Sequence, residues 1–181
     1  MTVMVYTLKL YPVVLCLAIL AYADGAIARN KSNIDAMGLT FETHVVDRGM
    51  TSNVFSASCQ QASGKSCNPL IGDTVCAAIL PVLCFLDIDA PIPGTLPESS
   101  PNARYWTGGI LSLSSPVKAS RFQTIKDVNE YCALTFGTGW RVSSFQDGTG
   151  WQLSGYGTPP QSPKKVWVDT KANVDATCWS R

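Results

Sequence analysis

The chain has 181 residues, with 14 basic and 13 acidic side chains, a single histidine and seven cysteines. Its scattered, near-neutral charge excludes the electrostatic footprint of a nucleic-acid or anionic-lipid binder, because no run of like charge exceeds Lys164-Lys165. One histidine and no C-x-x-C pair argue against zinc, and the P-loop and dinucleotide fingerprints are missing, so no metal and no cofactor are expected.

Residues 1–12 carry Lys9 as their one charge and lead into the apolar run VVLCLAILAY (13–22). Ala21-Tyr22-Ala23 and Ala26-Ile27-Ala28 both fit an A-x-A rule, so residues 1–28 read as a secretory signal peptide cleaved after Ala23 or Ala28. The apolar core is too short for a membrane span. The expected mature chain of roughly 155 residues is the size of one domain. It is exported (secreted, periplasmic or cell-surface) and has no membrane span. Cys16 leaves with the leader, and Cys59, Cys67, Cys76, Cys84, Cys132 and Cys178 remain as an even set suited to disulfides. Asn30-Lys31-Ser32 is a formal N-glycosylation sequon.

Residues 29–88 read as an N-terminal disulfide-rich lobe. A polar stretch over 24–40 precedes FETHVVD (41–47), which alternates as a strand. SNVFSASC (52–59) and LPVLCFLDID (80–89) read as two more. The block C-x7-C-x8-C-x7-C between residues 59 and 84 allows three connectivities. The strand positions favour Cys59–Cys84 and Cys67–Cys76, which leaves the isolated Cys132 and Cys178 to bridge each other. DAPIPGTLPESSPNA (89–103) holds four prolines, a density that prevents helix or central strand, and reads as a linker or long surface loop. The halves on either side are small for separate cores, so one domain with an elaborated first half is preferred.

Residues 104–181 form the C-terminal module. RYWTGGILSLSSPV (104–117) reads as a strand or bent hairpin, with Gly108-Gly109 allowing a bulge or turn. TIKDVNEYCALTFG (124–137) reads as a helix, with Thr124 as N-cap and Asp127 answering it. Ile125, Val128, Cys132 and Leu134 are expected on one face with Tyr131 beside them, and Gly137 as a left-handed stop. GWRVSSF (139–145) reads as a strand with Trp140, Val142 and Phe145 inward and Arg141 outward or paired with a carboxylate. DGTG (147–150) turns the chain, WQLSGYGTPPQS (151–162) reads as a glycine- and proline-rich loop, and KKVWVD (164–169) alternates as a strand. The class is α+β: a small disulfide-bonded fold, mostly antiparallel sheet, with one or two short helices.

The helical Cys132, the stop at Gly137, the GWRVSSF strand, the earlier YWTGG strand and the Trp-containing VWVD strand resemble a C-type lectin-like domain over roughly residues 104–181. The resemblance implies that the helical cysteine bridges to one near the C-terminus, here Cys132 to Cys178. The family's calcium-dependent sugar site uses Glu-Pro-Asn or Gln-Pro-Asp, whereas this chain has TPPQSP with Ser162 after Gln161. Its Trp-Asn-Asp element is approached only by Trp167-Val168-Asp169. One aspartate cannot supply the several oxygens that calcium needs, so the usual site is expected to be absent.

His44 stands in an expected strand and the chain has no G-x-S-x-G, which argues against a serine hydrolase. Paired cysteines leave no thiol nucleophile. Glu130, Asp147 and Asp169 keep open a small carboxylate-dependent extracellular hydrolase as the alternative. A structural or inhibitory disulfide protein is a further one. Of the five tryptophans, Trp140 and Trp167 fit the core and Trp179 fits against the Cys178 disulfide. Trp151 differs: it follows DGTG and precedes a glycine-rich segment that holds Tyr156. Asp147, Trp151, Gln152 and Tyr156 are therefore the expected ligand-binding residues. The function they suggest is a secreted or cell-surface, non-enzymatic recognition module that takes a carbohydrate or protein ligand without calcium.

Overall fold

Strict alternation along the strands sets the two faces of the central sheet. The computed structural model describes residues 36–44, 53–60, 66–94, 96 and 98–181, all within one unit, Ser32–Arg181. The expected leader, the Asn30 sequon and residues 45–47 lie outside the described residues. Two small ladders pair β1 (Met37–Gly38) with β4 (Thr74–Val75), and β5 (Ile79–Leu80) with β8 (Val117–Lys118). The main sheet holds β2 (Thr40–His44), β3 (Val54–Ser58), β6 (Leu83–Asp87), β7 (Trp106–Leu113), β9 (Arg141–Val142), β10 (Gln152–Tyr156) and β11 (Lys165–Trp167). Its order is β11-β2-β3-β10-β7-β6-β9, antiparallel throughout except for the β10–β7 pair. With the short helix α1 (Pro101–Arg104) and the longer α2 (Ile125–Phe136), the fold is α+β and mostly antiparallel.

Strands from both sides of the proline-rich segment alternate in this one sheet within a single unit, and the end of that segment, expected to exclude helix, instead forms α1 with Pro101 at its first position. Among the described residues no helix is long and apolar enough to cross a membrane. One apolar cluster gathers Phe41, Phe55, Leu83, Phe85, Leu111, Leu153 and Val166. A second gathers Val82, Cys84, Val128, Cys132, Trp167 and Trp179 beneath α2. Along β6, Leu83 and Phe85 enter the first while Cys84 enters the second, as a period of two requires.

Helix α2 starts as its sequence indicates. Thr124 Oγ1 accepts from the Asp127 amide, and the Asp127 carboxylate accepts from the Thr124 amide, a closed capping box. Gly137 ends it at φ 118°, ψ 171°, a positive-φ extended conformation rather than the left-handed helical one expected. Val128 and Cys132 are buried, but Leu134 is 81% exposed. Two residues of helix turn it about 200° from Cys132, so the expected apolar face stops before it. Trp140 lies half-buried against Phe136 with ring centroids 4.9 Å apart, so it edges the core instead of entering it.

All six cysteines pair, but not as the spacing suggested. The bridges are Cys59–Cys67, Cys76–Cys178 and Cys84–Cys132. Cys59 and Cys67 are also joined by the Cys67 amide donating to the Cys59 carbonyl. Cys84 faces α2 from the sheet and meets Cys132 there, so Cys132 is not available to Cys178. The C-terminal segment instead packs beside β1, where Cys178 reaches Cys76. The Cys132–Cys178 bridge implied by the C-type lectin resemblance is not formed. Three buried bridges suit an oxidising compartment.

Candidate functional site

The segment 152–156, expected to be loop, is instead β10, a central strand between β3 and β7. Glycine makes this possible. Opposite Gly155, strand β7 is bulged: Ser154 pairs with Trp106 but Tyr156 with Ile110. The bulge contains Gly108 at φ +76°, as the Gly108-Gly109 pair suggested. A Cβ on Gly155 would sit 2.7 Å from the Gly109 carbonyl oxygen and 3.0 Å from Thr107 Oγ1, so only glycine lets the two strands approach this closely.

Just before β10, a single 3-10 turn (Phe145–Asp147) sets the position of Trp151. Ser144 caps it, and its Asp147 carboxylate accepts from the Ser144 amide at 2.6 Å. The chain then folds back at Gly150, φ +100°, where a Cβ would lie 2.8 Å from the Phe145 ring. Trp151 emerges edge-on to Phe145, centroids 5.6 Å apart and planes at 78°, with 54% of its surface exposed. Its carbonyl accepts from the Cys59 amide at 2.8 Å, which locks the backbone of Trp151 to the end of β3.

Beside Trp151 lies an open cleft of ≈ 200 Å³ lined by Ser58, Gln60, Ser66, Tyr105, Trp151 and Gln152. It adjoins a polar row on the face of the sheet opposite Phe55, Ala57 and Leu153. Register places Gln152 opposite Ser58 and Ser154 opposite Ser56. Gln152 Nε2 donates to Ser56 Oγ and to Asn102 Oδ1, both at 3.1 Å, and Ser154 Oγ donates to the same Asn102 oxygen at 3.2 Å. The short helix α1 thus covers part of the row with Asn102 and brings Tyr105 to the rim. Among the described residues Gln152 Oε1 has no hydrogen-bond partner.

On β2 the same face carries His44, whose Nε2 lies 2.6 Å from Ser58 Oγ. Ser58 Oγ also donates to the Gln60 carbonyl at 2.9 Å. Burial pushes the His44 pKa down, and the charge of Glu42 only partly opposes this. The ring is therefore neutral at pH 7. Because the folded pKa lies below the unfolded one, His44 costs stability as pH falls below about 6.5, where the unfolded chain takes up a proton first. Asp127 acts in the same sense: hydrogen bonds from Thr124 hold its pKa down, so its contribution is lost as pH falls through that value. The melting temperature is expected to fall between pH 7 and pH 5, and His44→Gln to flatten that slope. An equal slope in the variant would show that His44 does not titrate differently in the folded state.

The four residues expected to bind ligand do not form one site. Trp151 and Gln152 share the cleft. Asp147 is tied up by Arg141, whose Nη1 and Nη2 donate at 2.8 and 2.6 Å, with the guanidinium stacked 4.8 Å over Phe85. Burial alone would lower the Arg141 pKa, but the hydrogen bonds and charge of Asp147 outweigh it and the net shift is upward. The Asp147 side chain is 10% exposed and Arg141's is 36%, so this pair holds the 3-10 turn and is partly screened by solvent. Asp147→Asn is expected to cost about 1–2 kcal/mol in a urea titration. No change in midpoint would mean that the pair is an idle surface contact. Tyr156 lies at the other end of β10, about 13 Å along the strand, edge-on to Trp106 at 4.9 Å and donating to the Pro91 carbonyl. It pins the proline-rich loop. Of the other carboxylates of the hydrolase alternative, Asp169 is buried and takes Arg181 and Thr177, whereas Glu130 is exposed on α2.

Sequence reasoning missed Ser56, Ser58, Ser154, Asn102 and Tyr105. The first two carried a signal, since V-F-S-A-S-C alternates serine with apolar residues and so marks a polar face. Asn102 and Tyr105 were hidden at the end of the proline-rich stretch. No group of three or more His, Cys, Asp or Glu among the described residues is placed to hold a metal ion. No family model matches the chain, and neither a curated protein nor a solved structure is significantly similar to it.

Proposed function

We propose that the chain is the recognition module of an exported protein and binds a carbohydrate or protein ligand, without calcium, at the cleft beside Trp151, where the end of β3 meets the start of β10. The observation that carries this reading is the placement of Trp151. A large aromatic residue stands 54% exposed, yet it is fixed by Phe145 and by its backbone, next to an amide with an unused acceptor. Rigid aromatics beside hydrogen-bonding groups are the usual anchors of sugar and protein recognition. A non-enzymatic role is supported by the engagement of Asp147 and Asp169 in ion pairs. It is also supported by the Ser58–His44 pair, whose imidazole has no second hydrogen-bond partner among the described residues to orient it.

A C-type-lectin-like relation for residues 104–181 has support in the order of β7, α2, β9 and the Trp167 strand. The disulfide pairing weighs against it, and ligand binding at the cleft does not depend on it. The test is a panel of immobilised glycans and extracellular proteins probed with the oxidised protein, with and without chelator. Trp151→Ala is expected to lower binding at least about tenfold with the circular dichroism unchanged, and Tyr156→Phe to leave it intact. Binding that survives Trp151→Ala, or that needs calcium, would refute the assignment.

A further inference from the structure

We infer that the ligand of the β3–β10 cleft is an uncharged pyranose ring, stacked on Trp151 and held at its hydroxyl edge by Gln152, Gln60 and Ser58; this rests on the recognition reading above. Among the described residues, none of the six that line the cleft is charged. They divide into two aromatic rings, Trp151 and Tyr105, and four neutral hydrogen-bonding side chains. A sugar ring has the same division, with an apolar C–H face and a rim of hydroxyls that donate and accept together. Amides and hydroxyls match such a rim because each can do both.

Among the described residues, three basic side chains are committed to ion pairs. Arg141 pairs with Asp147, Lys165 with Asp73 and Arg181 with Asp169. The Arg104 guanidinium lies over the Tyr105 ring, 5.7 Å from its centroid, and is not among the lining residues. His44, below Ser58, is kept neutral by burial. An anionic sugar would therefore lose hydration at the cleft without gaining a salt bridge from its lining. Size points the same way. The cleft, ≈ 200 Å³, is smaller than pockets for drug-sized ligands, about 300–1,000 Å³, and suits one ring. A protein partner would need about 800 Å² of its surface to engage and would have to extend well beyond it.

The experiment is ligand-detected NMR on the oxidised protein with methyl glycosides of glucose, galactose, mannose and N-acetylglucosamine, alongside glucuronate and galacturonate glycosides, at low and high salt. Variants Trp151→Ala, Gln152→Ala and Arg104→Ala are run beside the wild type. At least one neutral glycoside is expected to bind with a Kd of about 1 mM, unchanged by salt and by Arg104→Ala. That binding should weaken at least about tenfold in Trp151→Ala and in Gln152→Ala. A uronate bound more tightly than its neutral parent, with loss on Arg104→Ala, would overturn the ligand class while leaving the cleft as the site. No glycoside bound at about 10 mM would overturn the ligand class in favour of a protein ligand. Neutral glycosides that bind Trp151→Ala as well as wild type would overturn the site itself.

Discussion

Replacing Cys76 and Cys178 together by alanine is expected to lower the unfolding free energy by about 4.7 kcal/mol, the largest effect of any single bridge in this fold. The reason is loop length. Cys76–Cys178 spans 102 residues, Cys84–Cys132 spans 48 and Cys59–Cys67 spans 8. In the chain-entropy model the loss grows with the logarithm of the loop, which gives about 4 kcal/mol for the second and about 2.5 for the third. Small domains are stable by about 5–15 kcal/mol, so the first double variant is expected to be partly unfolded at 37 °C and the last to remain folded. Urea titrations of the three double-alanine variants check the ranking. Equal losses would mean that local strain, not chain closure, governs the bridges. Peptide mapping without reduction that recovered Cys132 joined to Cys178 would contradict the pairing itself.

Gly155→Val is expected to damage the sheet, costing about 2–3 kcal/mol. The contacts that a Cβ would make at 2.7 Å are with a backbone carbonyl in the β7 bulge, which cannot rotate away as a side chain would. Strand β10 holds β3 on one edge and β7 on the other, so prising it from β7 disturbs the junction between the two halves of the sheet. It also shifts Gln152, which lines the cleft, and Ser154 beside it. Gly155→Ala is expected to lose less, and both variants to weaken ligand binding along with stability. A Gly155→Val protein with a wild-type urea midpoint would show that the strands are further apart than described.

The helix shows what a single chain states plainly. Thr124 and Asp127 act within one turn of each other and Gly137 ends the same helix about three and a half turns on, so their pattern is complete in fourteen consecutive letters. Strand β10 shows the opposite. Leu-Ser-Gly-Tyr-Gly has the composition of a loop, and its strand identity comes from neighbours that lie far away in sequence, β3 and the β7 bulge. Tertiary pairing overrides local preference there. The cysteines fail for a related reason: spacing counts the bridges but not their partners, which are chosen by how α2 and the C-terminal segment pack. At the site, Trp151 and Gln152 were legible as an exposed aromatic and an amide after a turn. Asp147 and Tyr156 were placed with them by proximity in sequence. A 3-10 cap and the length of a strand carried them to different surroundings.

The most direct test of ligand recognition at the cleft is an NMR titration of 15N-labelled protein with the tightest ligand from the binding panel, read at the five tryptophan indole N–H signals and the glutamine side-chain amides. Trp151 is the tryptophan with large exposure, whereas Trp106 and Trp179 donate their indole N–H groups to carbonyls and Trp167 is buried. The expected result is that the Trp151 and Gln152 signals move and saturate together while those of Trp106, Trp167 and Trp179 stay in place. A saturating shift of the Trp106 indole signal instead, with Trp151 unmoved, would put the ligand beside Tyr156 at the opposite end of β10 and contradict the account.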